Sequence, residues 1–342
     1  MLTRKTCSTS SFRGLPRYGG ARLHGIRCWG IRLFVLCSLL LLLLGCAAAS
    51  VPPSGSAGAQ TDPVTTQDIR PSVAPASPAP TDLPADAYLS RAADRYDQHD
   101  FDGAIADYTH ALALQPRSAD AYLGRGLAYY GAGELDRAIA DFTQALTLRP
   151  DVATIYNNRG LAYYDKDDFD HAIADFTRAI ALQPNLAEAY YNRGRARYDQ
   201  GAIDQAIEDY TQALTLRPNF AAAYTWRGYA YHKHGDLDRA IADYDGALAL
   251  DQKSVDAYFG RGMVYLAQRN VDRADEDFSQ ALTLRPDDAS ALCSRGLVRR
   301  DLGRHEAALA DFRACLEHTN DPALRTWAAQ QVQLLSKAPE EP

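Results

Sequence analysis

No acidic residue occurs in the first forty-five positions, which carry Arg4, Lys5, Arg13, Arg17, Arg22, Arg27 and Arg32. The rest of the chain is the reverse: once those seven bases are set aside, the overall charge of −7 becomes −14. A domain so acidic repels phosphate backbones, which argues against nucleic acid as a partner. Catalytic motifs are missing too. There is no Gly-rich phosphate loop, nucleophile elbow or HExxH zinc motif. His232 and His234 share one predicted helix without a third ligand, so the pair reads as surface decoration, with neither metal nor cofactor expected and enzyme chemistry poorly supported.

Long apolar runs are scarce. Leu33 to Leu44, LFVLCSLLLLLL, has twelve uncharged residues, whereas a membrane span needs about 20. Behind a basic segment such a run reads as the core of a secretion signal. Its end, Leu43-Leu44-Gly45-Cys46, resembles the bacterial lipobox. That resemblance implies cleavage before Cys46 and diacylation of its thiol. The alternative is an uncleaved signal anchor extending through Ala47-Ala48-Ala49; both readings place the remainder of the chain outside the cytoplasm, on a cell or outer membrane. From Ala47 to about Pro84, eight prolines lie among Ala, Ser, Thr and Gly, a composition that cannot offset ordering entropy and reads as a disordered tether.

What the chain has in abundance is itself. Ala153 to Leu186, thirty-four residues, recurs without a gap seven times from Ala85 to Pro322, as 85–118, 119–152, 153–186, 187–220, 221–254, 255–288 and 289–322. Numbered within each copy, column four is Tyr in six copies and Leu292 in the last, column eight is Gly from Gly126 to Gly296, and column twenty is Ala throughout. Column eleven holds Tyr129, Tyr163, Tyr231 and Tyr265, column twenty-four is always Tyr or Phe, and column thirty-two is Pro in five copies. This pattern resembles the tetratricopeptide repeat. The resemblance implies an all-α, right-handed solenoid of helix-turn-helix repeats that displays a concave groove for protein ligands.

The residues support two helices per copy. Apolar positions fall at helical spacing in two runs, broken at column fifteen by Gly133, Gly201, Gly235 and Gly303. Asp100, Asp168, Asp236 and Asn270 follow as N-caps, and proline ends the second helix. Gln252 replaces that proline in the fifth copy, which should loosen one joint. Antiparallel pairing about columns fifteen and sixteen predicts that columns summing to about thirty-one lie level. Gly at eight would then admit column twenty-three, and Tyr at eleven would pack over Ala at twenty. Stacked copies need a polar end. Leu324, Trp327, Ala328, Val332 and Leu335 mark one face of a capping helix over 323–336, before a disordered tail at 337–342.

Cysteine is sparse, and cleavage would reduce six residues to Cys46, Cys293 and Cys315. No metal or redox motif uses them. Cys293 and Cys315 fall at columns five and twenty-seven of the seventh copy. These columns are expected to face different neighbours, which argues against a disulfide.

Column seven is Arg in every copy, where the family prefers Leu, and column twenty-three is always Asp. Pairs such as Arg159 with Asp175 and Arg193 with Asp209 read as structural ion pairs. A row of arginines for an anionic ligand is the alternative, weakened by an acid waiting for each. In the family the groove is lined by columns two, five, six, nine, twelve and thirteen. Carried over, these give Asn157, Asn158, Leu161 and Tyr164, then Tyr191, Asn192, Arg195 and Tyr198, then Trp226, Tyr229 and His232, then Phe259 and Met263. Asparagines at column six would hold a peptide backbone. The family's carboxylate clamp needs bases at columns two, five and six, which are absent here, so recognition of a C-terminal carboxylate is doubtful. The expected function is a lipid-anchored scaffold or adaptor binding peptide segments of envelope or periplasmic proteins. A self-association module without a specific peptide ligand is the alternative.

Overall fold

A computed structural model describes residues 83–337. The signal segment 1–45, Cys46, the tether as far as residue 82 and the tail from 338 lie outside the described residues. Within them, helices follow one another without a strand. The first helices of the copies are Ala85–Asp97, Ala119–Gly131, Ala153–Asp165, Ala187–Asp199, Ala221–His234, Val255–Ala267 and Ala289–Asp301. The second helices are Phe101–Leu114, Leu135–Leu148, Phe169–Leu182, Ile203–Leu216, Leu237–Leu250, Val271–Leu284 and His305–His318, and Pro322–Lys337 closes the array. None of the described helices is long and apolar enough to cross a membrane.

Each turn uses the left-handed region at column fifteen. Gly133, Gly201, Gly235 and Gly303 have φ between 74° and 94°, while His99, Asp167 and Arg269 occupy the same conformation at 60–65° in the other copies. The next residue caps the second helix where it can: Asp100, Asp168, Asp236 and Asn270 accept from the backbone N–H three residues on. Such a bond satisfies one of the N–H groups a helix start leaves open.

Neither helix can bury its apolar face alone, so pairs stack into an all-α solenoid. Ala at column twenty and the aromatic at twenty-four are buried in every copy. First helices of adjacent copies approach one another more closely than second helices do, so the first-helix layer is the inner one. At the end of the array Trp327 meets the Phe312 ring edge-on at 5.6 Å, giving the last copy's second helix the neighbour that a following copy would supply.

Two details of the expected register are corrected. Gly at column eight faces column twenty-four, not twenty-three: a Cβ on Gly160 would lie 2.8 Å from the Phe176 ring, and one on Gly194 2.7 Å from Tyr210. Cys293 and Cys315 are joined in a disulfide with Cα atoms 5.5 Å apart. Both corrections have one cause. The helices are offset so that columns summing to thirty-two are level, which puts five opposite twenty-seven as well as eight opposite twenty-four.

Column twenty-three therefore lies beside the level position, within reach of the long arginine at column seven. Arg159 donates from Nε and Nη2 to Asp175 at 2.7 and 2.8 Å, and Arg193 to Asp209 at 3.0 and 2.7 Å. The same two-pronged geometry joins Arg91 to Asp107, Arg125 to Asp141, Arg227 to Asp243, Arg261 to Asp277 and Arg295 to Asp311. Asp175 is only 8% exposed and Arg159 18%.

The third prong reaches further. Nη1 of Arg159 donates to the Thr143 hydroxyl of the preceding copy at 3.0 Å, and Arg125, Arg193, Arg227 and Arg295 do likewise to Thr109, Thr177, Thr211 and Ser279. Each of these guanidinium groups thus fixes the pairing within its copy and the joint to the one before. Removing one partner of a buried pair strands the other, whereas removing both does not. Asp175→Ala should accordingly cost on the order of 3 kcal/mol. Arg159→Leu, which supplies packing, should cost less. The double variant should show a coupling of about 1 kcal/mol or more in urea unfolding, and strict additivity would contradict the buried pair.

Candidate functional site

The inner face of copies three to five is built around one guanidinium. Column nine is Ala93, Leu127, Leu161, Tyr229, Met263 or Leu297 elsewhere, but Arg195 in the fourth copy. Its Cζ lies 4.6 Å from the centroid of Tyr164, 5.3 Å from Trp226 and 5.8 Å from Tyr191. Three consecutive copies therefore contribute one ring each to it. Ring faces attract a cation electrostatically, and more strongly where water is displaced. Arg195 Nη2 also donates to the Tyr164 hydroxyl at 3.2 Å. That hydroxyl in turn donates to the carboxylate of Asp199.

The rings continue along the first helices. Trp226 meets Tyr198 at 5.6 Å and Tyr229 at 5.9 Å, both edge-on, and Tyr229 meets Tyr244 at 5.5 Å. Tyr191 packs on Phe220 at 4.8 Å, and Phe259 on Phe278 at 5.7 Å. Edge-on and tilted packing suits the ring quadrupoles.

The residues expected to line the groove divide by burial. Asn157, Asn158, Leu161, Tyr164, Tyr191, Arg195 and Trp226 are half-buried and present surface. Asn192, Tyr198, Tyr229, Phe259 and Met263 are buried at 4–9% exposure, so they form the floor and are not open ligand contacts. Asn192 in particular is engaged, donating from Nδ2 to Asn157 Oδ1 at 3.0 Å, which revises its reading as a free holder of peptide backbone. Asn158 makes no side-chain hydrogen bond among the described residues.

His232 is not surface decoration. It is half-buried at column twelve, and burial pushes its imidazole down to about 4, while exposed His234 lies 3.0 Å from Asp204. No cluster of metal-ligating groups occurs among the described residues. Column seven is paired throughout, so its arginines are not a free row for an anion. Sequence reasoning missed the hydroxyls of column twenty-five, although Thr109, Thr143, Thr177 and Thr211 repeat there. It also missed a rule at column eleven. Where Tyr is absent, Arg95, Arg197 and Arg299 supply a second donor to Asp107, Asp209 and Asp311, at 3.0, 2.8 and 2.9 Å.

Two patterns of one family match this chain. The pattern described as a TPR repeat covers residues 160–201, 194–235 and 233–269, and that described as a tetratricopeptide repeat covers 89–153 and 259–323. The chain belongs to the tetratricopeptide repeat family, and with this fold it is a protein-interaction scaffold. No curated protein matches it. Among solved structures it is similar to MamA, 31% identical, over 49% of this chain and 92% of that one, with a TM-score of 0.46. A tetratricopeptide repeat protein from Parabacteroides merdae is 19% identical over 74% of this chain and 98% of its own, with a TM-score of 0.58. PilW, a type IV pilus biogenesis factor, is 23% identical over 60% and 96%, with a TM-score of 0.56. The last two share the fold.

His232 carries a pH consequence for the groove. The folded chain keeps this imidazole neutral down to about 4, while the unfolded chain protonates it near 6.5. The unfolded state therefore binds more protons between these values, and stability is lost as pH falls through that window. His232→Leu, the residue used at this column in the sixth copy, should flatten the pH 4 to 6.5 limb by about 1–3 kcal/mol. Urea midpoints measured across that range check it; an unchanged slope would contradict the burial.

Proposed function

We propose that this chain is a membrane-anchored adaptor that holds peptide segments of extracytoplasmic proteins against the inner face of copies three to six. The observation that carries the reading is the aromatic strip Tyr164, Tyr191 and Trp226, partly exposed over the buried floor of Tyr198, Tyr229, Phe259 and Met263. Large rings over a packed floor offer contact area at little entropic cost, which suits recognition of amphipathic segments. The basic segment, the apolar run and Leu43-Leu44-Gly45-Cys46 support an anchor. The Cys293–Cys315 bridge supports an oxidising compartment, since disulfides persist outside the reducing cytosol.

The test is capture of proteins from envelope extract by the full chain. Saturable capture should fall at least about tenfold on Trp226→Ala, a loss expected of a central aromatic anchor. It should be unchanged on Gln212→Ala, an exposed position of the second-helix layer. Because Trp226 itself meets Tyr198 and Tyr229 edge-on, the variant's helical circular dichroism and melting temperature are measured beside its capture. Equal capture by native chain and both variants, or only concentration-dependent oligomers, would replace this reading with self-association. Cys46→Ser should abolish incorporation of a labelled fatty acid, and a native protein that carries no lipid would remove the anchor.

A further inference from the structure

Every other arginine of the first helices has a carboxylate at salt-bridge distance: those of column seven pair with column twenty-three, and Arg95, Arg197, Arg299 and Arg300 have acids as well. Arg195 has none among the described residues. The acid nearest in its network, Asp199, already accepts from Tyr164. Nε of Arg195 is buried without a hydrogen-bond partner, and Nη2 has only the tyrosine hydroxyl. A buried donor left unmatched is costly, and a leucine, which copies two, three and seven use here, would avoid that cost. Retaining an arginine in a cage of three rings is therefore unexplained by packing.

We propose that Arg195 recognises a single carboxylate, the side chain of an Asp or Glu in a peptide segment of a partner protein lying in the groove; this rests on the groove reading above. The planar fork of a guanidinium matches a carboxylate with two parallel N–H donors. Its three rings come from three copies, so the fork is held in place before the ligand arrives and little ordering remains to be done. The surroundings also select against other anions. A chain that stands at −14 beyond residue 45 repels a polyanion such as a nucleic acid or an anionic lipid surface, but one carboxylate on an otherwise apolar segment meets one free cation. Trp226, half-buried with its ring 5.3 Å from Arg195, would take an apolar neighbour of that acid, and the unengaged Asn158 amide would take its backbone.

The experiment pans a displayed random-peptide library on the full chain and titrates an enriched peptide, with its Glu→Gln or Asp→Asn analogue, against native and Arg195→Gln protein. Enriched peptides should share one acid flanked by apolar residues. The amide analogue should bind native chain about tenfold or more weakly, the size of a charge-assisted pair lost, and should differ less than about threefold from its parent on Arg195→Gln. Enriched peptides without an acid, or an equal loss on both proteins, would overturn the assignment while leaving the groove reading intact. No enrichment at all would overturn both. If Arg195→Gln loses its helical circular dichroism, the amide comparison on native chain still decides, together with Arg195→Lys, which should keep the preference for acid at reduced affinity.

Discussion

The guanidinium at column seven sets the geometry on which the other contacts depend. In Arg159, two of its nitrogens lock the aspartate of column twenty-three, and the third reaches back to a hydroxyl of the preceding copy. Buried charges persist only when paired and fully bonded, and the Arg–Asp pairing meets that demand in every copy. In most copies the cation also lies near tyrosine faces; Arg159 is 5.7 Å from Tyr156 and 5.9 Å from Tyr163. With helices held at this offset, glycine at column eight receives the ring at column twenty-four. In copies two to seven a Cβ at column eight would lie 2.7–2.8 Å from that ring; the first copy has Ala92 there, packed in one cluster with Tyr108.

The groove follows from a local break in the same plan. In the fourth copy column eleven is Arg197, which doubles the hold on Asp209, and column nine becomes a second, unpaired arginine. Its rings come from Tyr164, Tyr191 and Trp226, so a guanidinium and three aromatic faces meet at one point of the inner face. Strongly paired and unpaired arginines thus lie within one helix, Ala187–Asp199, doing different things. The paired ones hold the stack, and Arg195 keeps an Nε that the stack leaves without a partner.

The fold was legible because the repeat exposes it: seven aligned copies turn single residues into columns, and glycine, proline and N-cap aspartate each mark a boundary for a physical reason. The ladder partners were legible for the same cause, since Arg and Asp recur at fixed columns. Offsets of one residue were not. A level line drawn at thirty-one instead of thirty-two misplaced the partner of Gly160, and the nearness of Cys293 to Cys315, whose columns sum to thirty-two, was passed over. Burial at groove columns was also hidden, because whether Tyr229 or Phe259 reaches solvent depends on how close the next copy stands. The solitary state of Arg195 depends on a hydrogen bond between Tyr164 and Asp199, residues thirty-five apart, which no spacing rule announces.

Hydrogen exchange on Arg227→Leu tests most directly whether the guanidinium couples neighbouring copies. Arg227 holds Asp243 within the fifth copy and donates to Thr211 at 3.1 Å in the fourth. Amide protection should therefore fall on both sides of the joint, in Ile203–Leu216 and in the pair Ala221–His234 and Leu237–Leu250, since opening follows cooperative units. Loss confined to the fifth copy would show that the arginine only pins its own helix pair, and would contradict the ladder as the link between copies.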